Sequence, residues 1–445
     1  MRSALSREDR VGAVAAVEAL HQAGFQQPPI LPPRSWCTPW HEGPTIDGGR
    51  APRTIVSMND FRTAGHAAVD LLADYLGKLP EGPVWQAMDP AVRERLLTSG
   101  ASMATIVALG TARNRAARLL GVDVREEGLA ALPPLVGYVS AETHSCVRKA
   151  AELLGLGSRN LRPVATDPAG HLDPAALRVQ VKADRAAGLH PFLAVASAGT
   201  VNTGAVDDLE AIADVCAEEG LWLHVDGAYG AFGVLDPVIA DRYNGLDRAD
   251  SLALDPHKWL AVPVDCGCVL VRDPVELRGT FSLVPSYLRD ENAGGLGWFS
   301  EYGIEQTRPF RSLKVWATIA ASGREGIARD VAHCTAMARH LGELVAAEPD
   351  LELMAVVESS ITAFRYAPDG VPDELLEQIN GALSLEVQQR GRTFVTGTLL
   401  NGREAVRACL INPAVSEQDL AVLVQEVRAA GADLLDRLGG SQPVS

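Results

Sequence analysis

Two carboxylates, a histidine and a lysine fall just after short apolar runs in the middle of this chain. Asp226 follows "LWLHV" and precedes Gly227 and Ala228, whose small size lets a flat ligand approach; "SLAL" is followed by Asp255, His257 and Lys258. An acid and a lysine placed after neighbouring strands suit pyridoxal phosphate chemistry. A lysine desolvated at a strand end forms a Schiff base with the aldehyde, and the acid keeps the pyridine nitrogen protonated so that the ring accepts electrons. Taken singly, the same residues read equally as a solvated loop lysine and a capping aspartate.

Two other segments bear on the same chemistry. "LTSGASMATIVALGTA" runs from a small-residue turn into a helix, where backbone N–H groups and the Ser102 hydroxyl can hold a phosphate at the positive end of the helix dipole. In "YVSAETHSCVRKA", His144 follows a further run and can stack its ring on a cofactor. Each has a plainer alternative, a serine cap and a structural histidine.

The elements that must position these residues are legible from periodicity. From about residue 97 to 275, β-rich runs alternate with helical patterns such as "DDLEAIADVCAEEG", where Leu209, Ile212 and Cys216 share a face and Gly220 stops the helix. Such alternation predicts a mainly parallel sheet covered on both faces, with ligands at the C-terminal strand ends. Past about residue 326 the pattern becomes a long helix, a few strands and a closing helix. That last helix is announced by Ser416 and Asp419 as a capping box and carries the stripe Leu420, Leu423, Val424, Val427, Leu434 and Leu438. The expected organisation is an irregular extension over 1–57, a helical segment over 58–96, a cofactor-binding large domain over 97–325 and a smaller α+β domain over 326–445. In the second of these, Phe61, Ala68, Leu72, Tyr75 and Leu79 form one stripe.

Composition narrows the partners. The 445 residues carry a formal net charge of −16 with no Lys/Arg cluster, which argues against nucleic acid or an anionic membrane and for a small-molecule substrate. The seven cysteines are scattered, without disulfide or zinc spacing, so a reducing cytoplasm and no metal are expected. No uncharged run approaches a membrane span, and the N-terminus carries acids where a signal peptide would be apolar.

Read in order, "THSCVRKA", "HVDGAYG", "DPHKWL" and "FRSLKVW" resemble the group II pyridoxal-phosphate-dependent amino acid decarboxylases, especially the aromatic L-amino acid decarboxylase branch. The resemblance runs from about residue 97 to the C-terminus. It implies a fold-type I transferase-like α/β large domain, a homodimer, and decarboxylation of an aromatic L-amino acid to the amine and CO₂. It also implies that Lys258 carries the cofactor, Asp226 pairs with its ring nitrogen, Ala228 and His144 flank the ring, and Thr200 lies close by. Ala101, Ser102 and His257 match the phosphate-binding positions. Tyr287, in "VPSYLRDENAGGLGWF", matches the loop tyrosine that returns the proton, and Arg311 is expected to anchor the base of that loop.

Three features depart from the family pattern. The segment between Leu79 and Thr98 is much shorter, Met103 replaces an acid, and Asp255 stands where the animal enzymes have Asn. Besides a working decarboxylase, a shortened relative that binds the cofactor without turning over stays open, as does another fold-type I reaction.

Overall fold

The computed structural model describes residues 95–284 and 298–439, together with His66 and Asp70 at isolated helical positions. The 1–57 extension, most of the expected helix from Met58 and Tyr287 lie outside the described residues.

The larger sheet has seven strands: β1 (Arg95–Thr98), β2 (Leu135–Ser140), β3 (Leu161–Val164), β4 (His190–Ser197), β5 (Trp222–Asp226), β6 (Ser251–Leu254) and β7 (Gly267–Val271), in the spatial order β1-β7-β6-β5-β4-β2-β3. Strands β2 to β6 pair parallel, and β7 runs antiparallel between β6 and β1. The sheet is therefore mainly parallel, as the βα alternation predicts. The smaller sheet, β8 (Leu351–Leu353), β9 (Ile361–Tyr366), β10 (Thr396–Leu400) and β11 (Arg403–Cys409), is antiparallel in the order β10-β11-β9-β8.

The helices are α1 (Ala101–Leu119), α2 (Val124–Glu127), α3 (Ser145–Leu153), α4 (Pro174–Ala186), α5 (Leu209–Glu219), α6 (Pro274–Phe281), α7 (Arg311–Ala347), α8 (Asp373–Arg390) and α9 (Glu417–Gly439). Period-2 alternation divides the central strands between two cores. Leu223, Val225, Leu252 and Leu254 face α4, α5 and α7, whereas Trp222 and Ala253 face α1, α3 and α6. Helix α5 ends where expected: Gly220 adopts φ 65° and its N–H closes on the Cys216 carbonyl. Its inward stripe of Leu209, Ile212 and Cys216 is buried, each aliphatic side chain contributing roughly 1.5–3 kcal/mol.

Helix α7 is two helical stretches that meet at a kink at Gly323 (φ 64°, ψ 168°), the second of them starting close to residue 326, where the sequence pattern places the long helix. The Ser416–Asp419 capping box forms: Asp419 accepts from the Ser416 N–H at 2.8 Å, and Ser416 Oγ accepts from the Asp419 N–H at 3.4 Å. Helix α9 buries Leu420, Leu423, Val424, Val427 and Leu434 in the third core, around the smaller sheet, with Leu438 half-buried against it.

Candidate active site

Asp226 is the last residue of β5 and lies in register with Ala253 of β6. It shares a face with Trp222 and His224, so its carboxylate points to the α1/α3 side of the sheet. Gly227 passes the chain over β6, its N–H bonding the Ala253 carbonyl at 3.0 Å. A Cβ on Gly227 would lie 2.6 Å from the Ala231 Cβ, which explains the glycine. The chain leaves β6 through Asp255, Pro256, His257 and Lys258, a turn closed by the Lys258 N–H on the Asp255 carbonyl at 2.9 Å. Adjacent parallel strands thus deliver the acid and the lysine to the same end of the sheet.

A cavity of about 280 Å³ opens there. All eight positions expected around the cofactor line it: Ala101, Ser102, His144, Thr200, Asp226, Ala228, His257 and Lys258. Glu142, Cys146 and Asp255 line it too. Arg311 does not; it is buried and tied to Asp265 at 3.0 Å and Glu305 at 3.4 Å.

Each lining group has a definite local reason for its place. His144 caps α3, its Nδ1 accepting from the Cys146 N–H at 3.1 Å, so the ring is fixed while its other edge stays open to the cavity. The structural and the cavity-lining readings of this histidine are therefore both realised. Thr200 is buried in a tight turn, its hydroxyl accepting from the Ala205 N–H at 3.2 Å. The His257 ring is held by the Cys266 backbone, Nδ1 lying 2.6 Å from the carbonyl oxygen. The turn before α1 approaches β7 so closely that a Cβ on Gly267 would lie 2.3 Å from the Gly100 carbonyl carbon. Only glycine permits that contact.

Lys258 enters the cavity beside Asp255. Its side chain is 35% exposed and its Nζ lies 3.3 Å from Asp255 Oδ2. Asp226, by contrast, is 8% exposed and has no ion-pair partner among the described residues. Its carboxylate accepts from the Ala228 N–H at 3.1 Å and lies 3.9 Å from Cys146 Sγ. Burial, reinforced by Asp226, pushes the Cys146 thiol up to about 12, so it stays protonated.

These groups suit pyridoxal phosphate. A buried carboxylate without a cation matches a protonated ring nitrogen, and a primary amine reaches the same cavity. Small residues leave room for a planar ring. The donor atoms of His144, Cys146 and Asp226 also lie within 4.8 Å of one another, the group of metal-capable donors among the described residues.

Glu142 and Cys146 escaped the sequence reading. The strand-end rule that singled out His144 applies equally to Glu142, two residues earlier, whereas Cys146 reaches the cavity only because α3 starts beside it. Glu142 is held by the Asn202 side-chain amide at 2.9 Å.

Residues 70–367 match the pyridoxal-dependent decarboxylase conserved domain. The chain is 35% identical over 348 residues to an aromatic-L-amino-acid decarboxylase of Bacillus atrophaeus, covering 78% of this chain and 70% of that protein. It is 31% identical over 373 residues to the aromatic-L-amino-acid decarboxylase of Sus scrofa, covering 82% and 74%. A crystal structure of mouse CSAD in apo form superposes with a TM-score of 0.70 at 30% identity, covering 79% of this chain and 73% of that one.

Proposed function

This chain belongs to the pyridoxal-dependent decarboxylase family and is a pyridoxal-phosphate-dependent carboxy-lyase, and from that premise we propose that it decarboxylates an aromatic L-amino acid to the corresponding amine. The aromatic preference is supported by the two relatives above, both aromatic-L-amino-acid decarboxylases. The observation that carries the site assignment is the meeting of Asp226 and Lys258 in one cavity with Ser102 and His144.

When bound, pyridoxal phosphate supplies an electron sink for the bonding pair released as CO₂ leaves. The residues divide the remaining work. Lys258 Nζ would be the nucleophile that anchors the cofactor. Asp226, with no other cation to answer, holds a proton on the ring nitrogen. The Ala101 N–H, the Ser102 hydroxyl and His257 would hold the phosphate at the start of α1. Ala228, His144 and Thr200, which line the same cavity, would flank the ring. Tyr287, outside the described residues, returns the proton to the substrate α-carbon as general acid.

The proposal extends to a homodimer in the cytoplasm; the six described cysteines are all free thiols, in keeping with a reducing compartment. The test is an assay of CO₂ and amine from tryptophan, tyrosine and phenylalanine beside glutamate, cysteine sulfinate and histidine. Equimolar CO₂ and amine from the aromatic substrates is expected. Preference for an acidic substrate or histidine would refute the aromatic assignment, and aldehyde with ammonia as the main products would refute amine formation.

A further inference from the structure

The side chain of Asp255 stands where the cofactor's own anion is expected. It is 4% exposed. Its Oδ1 accepts from the Ala101 N–H at 2.6 Å, across 154 residues of sequence. Its Oδ2 lies 3.3 Å from Lys258 Nζ and 3.7 Å from His257 Nε2. Helix α1 receives no cap from its own N-cap residue, Gly100, so this remote carboxylate takes that place. One buried carboxylate therefore engages the first backbone donor of the phosphate turn, the anchoring lysine and the adjacent histidine at once.

A carboxylate and a phosphate compete for the same partners. Both accept from helix N-terminal N–H groups and both pair with ammonium and imidazolium groups. We infer that Asp255 is a positioning residue that acts as an internal surrogate for the cofactor's phosphate: in the free enzyme it satisfies the Ala101 N–H and holds Lys258, and the incoming phosphate must displace it from that N–H. This rests on pyridoxal phosphate being the cofactor. Two consequences follow from the charge. The free site keeps the Ala101 N–H hydrogen-bonded without cofactor, and the bound phosphate is opposed by a buried like charge. Asp255 thus trades cofactor affinity for a stable, preformed apo site.

The experiment compares pyridoxal phosphate with pyridoxal, which carries the same aldehyde and ring without the phosphate. Dissociation constants for both are measured by absorbance and fluorescence quenching in wild type, Asp255→Asn and Asp255→Ser. Both replacements are neutral and retain an acceptor for the Ala101 N–H. Any change in the reactivity of Lys258 affects both ligands alike, so the ratio of the two constants isolates the phosphate. That ratio should shift in favour of pyridoxal phosphate by about tenfold to a hundredfold in both variants, the range of a charged hydrogen-bonding partner gained or lost in a buried site. Inorganic phosphate should also compete with pyridoxal phosphate more effectively in the variants. An unchanged ratio, or one that moves towards pyridoxal, overturns the inference while leaving the cofactor assignment intact. Failure of wild type to bind either aldehyde overturns both.

Discussion

Asp226 and Lys258 line one cavity because the strands that carry them are neighbours, Asp226 lying in register with Ala253 five residues before the lysine. The acid is buried without a cation and the lysine is partly exposed beside Asp255, so the two can act on opposite ends of one ligand without neutralising each other.

The first prediction concerns Asp226. Asparagine keeps its size but cannot hold a ring proton by charge. Asp226→Asn should retain the visible absorbance that depends on Lys258 while turnover falls by ~10² to 10⁴, the range for losing a preorganised electrostatic partner. Steady-state CO₂ release and the absorption spectrum of one preparation check this; near-normal turnover would remove Asp226 from its assigned role.

Gly267 tests the closeness of the phosphate turn to β7. An alanine Cβ would meet the Gly100 carbonyl carbon at 2.3 Å and its Cα at 2.4 Å, backbone atoms that cannot rotate away. Gly267→Ala should cost about 2 kcal/mol or more and weaken pyridoxal phosphate more than pyridoxal, because the displaced turn carries Ala101 and Ser102. Thermal unfolding and the two dissociation constants report the two effects separately.

A third prediction follows from His171, in the loop between β3 and α4. Its Nε2 lies 2.7 Å from Glu358 Oε1, just ahead of β9, and its Nδ1 2.8 Å from Asp167 Oδ2. Glu358 is buried and is shared with Arg242 at 3.0 Å. The hydrogen bond to Glu358 foremost, with Asp167 adding to it against the cost of burial, raises His171 to about 9 from an ordinary 6.5. A raised cationic pKa means that the folded state binds the proton more tightly than the unfolded state. The contribution is therefore complete below pH 6.5 and lost as pH rises through about 9. Denaturant melts across that window should lose on the order of 2 kcal/mol in wild type and stay flatter in His171→Gln. Asp207, pushed up to about 6 by burial, titrates below it.

The parts legible in the sequence are those governed by local rules. Asp226, Lys258 and His144 were found because each follows an apolar run whose end must face the ligand side of a parallel sheet. Gly220 and the Ser416–Asp419 pair were found because helix ends have fixed chemistry. The contact of Asp255 with the Ala101 N–H was not legible, since it joins distant segments that meet only when β7 draws the turn alongside β6. The approach of Lys258 Nζ to Asp255 Oδ2 at 3.3 Å was not legible for a related reason, since it depends on how the turn after β6 closes.

The account stands most directly on the identity of the lysine. The protein loaded with pyridoxal phosphate is reduced with borohydride, digested and mapped by mass spectrometry, and CO₂ release is measured before and after reduction. The pyridoxyl group should be found on Lys258, with turnover abolished in step with its incorporation and absent in Lys258→Ala. A pyridoxyl group on Lys149 or Lys314, or undiminished CO₂ release from fully reduced protein, would contradict it.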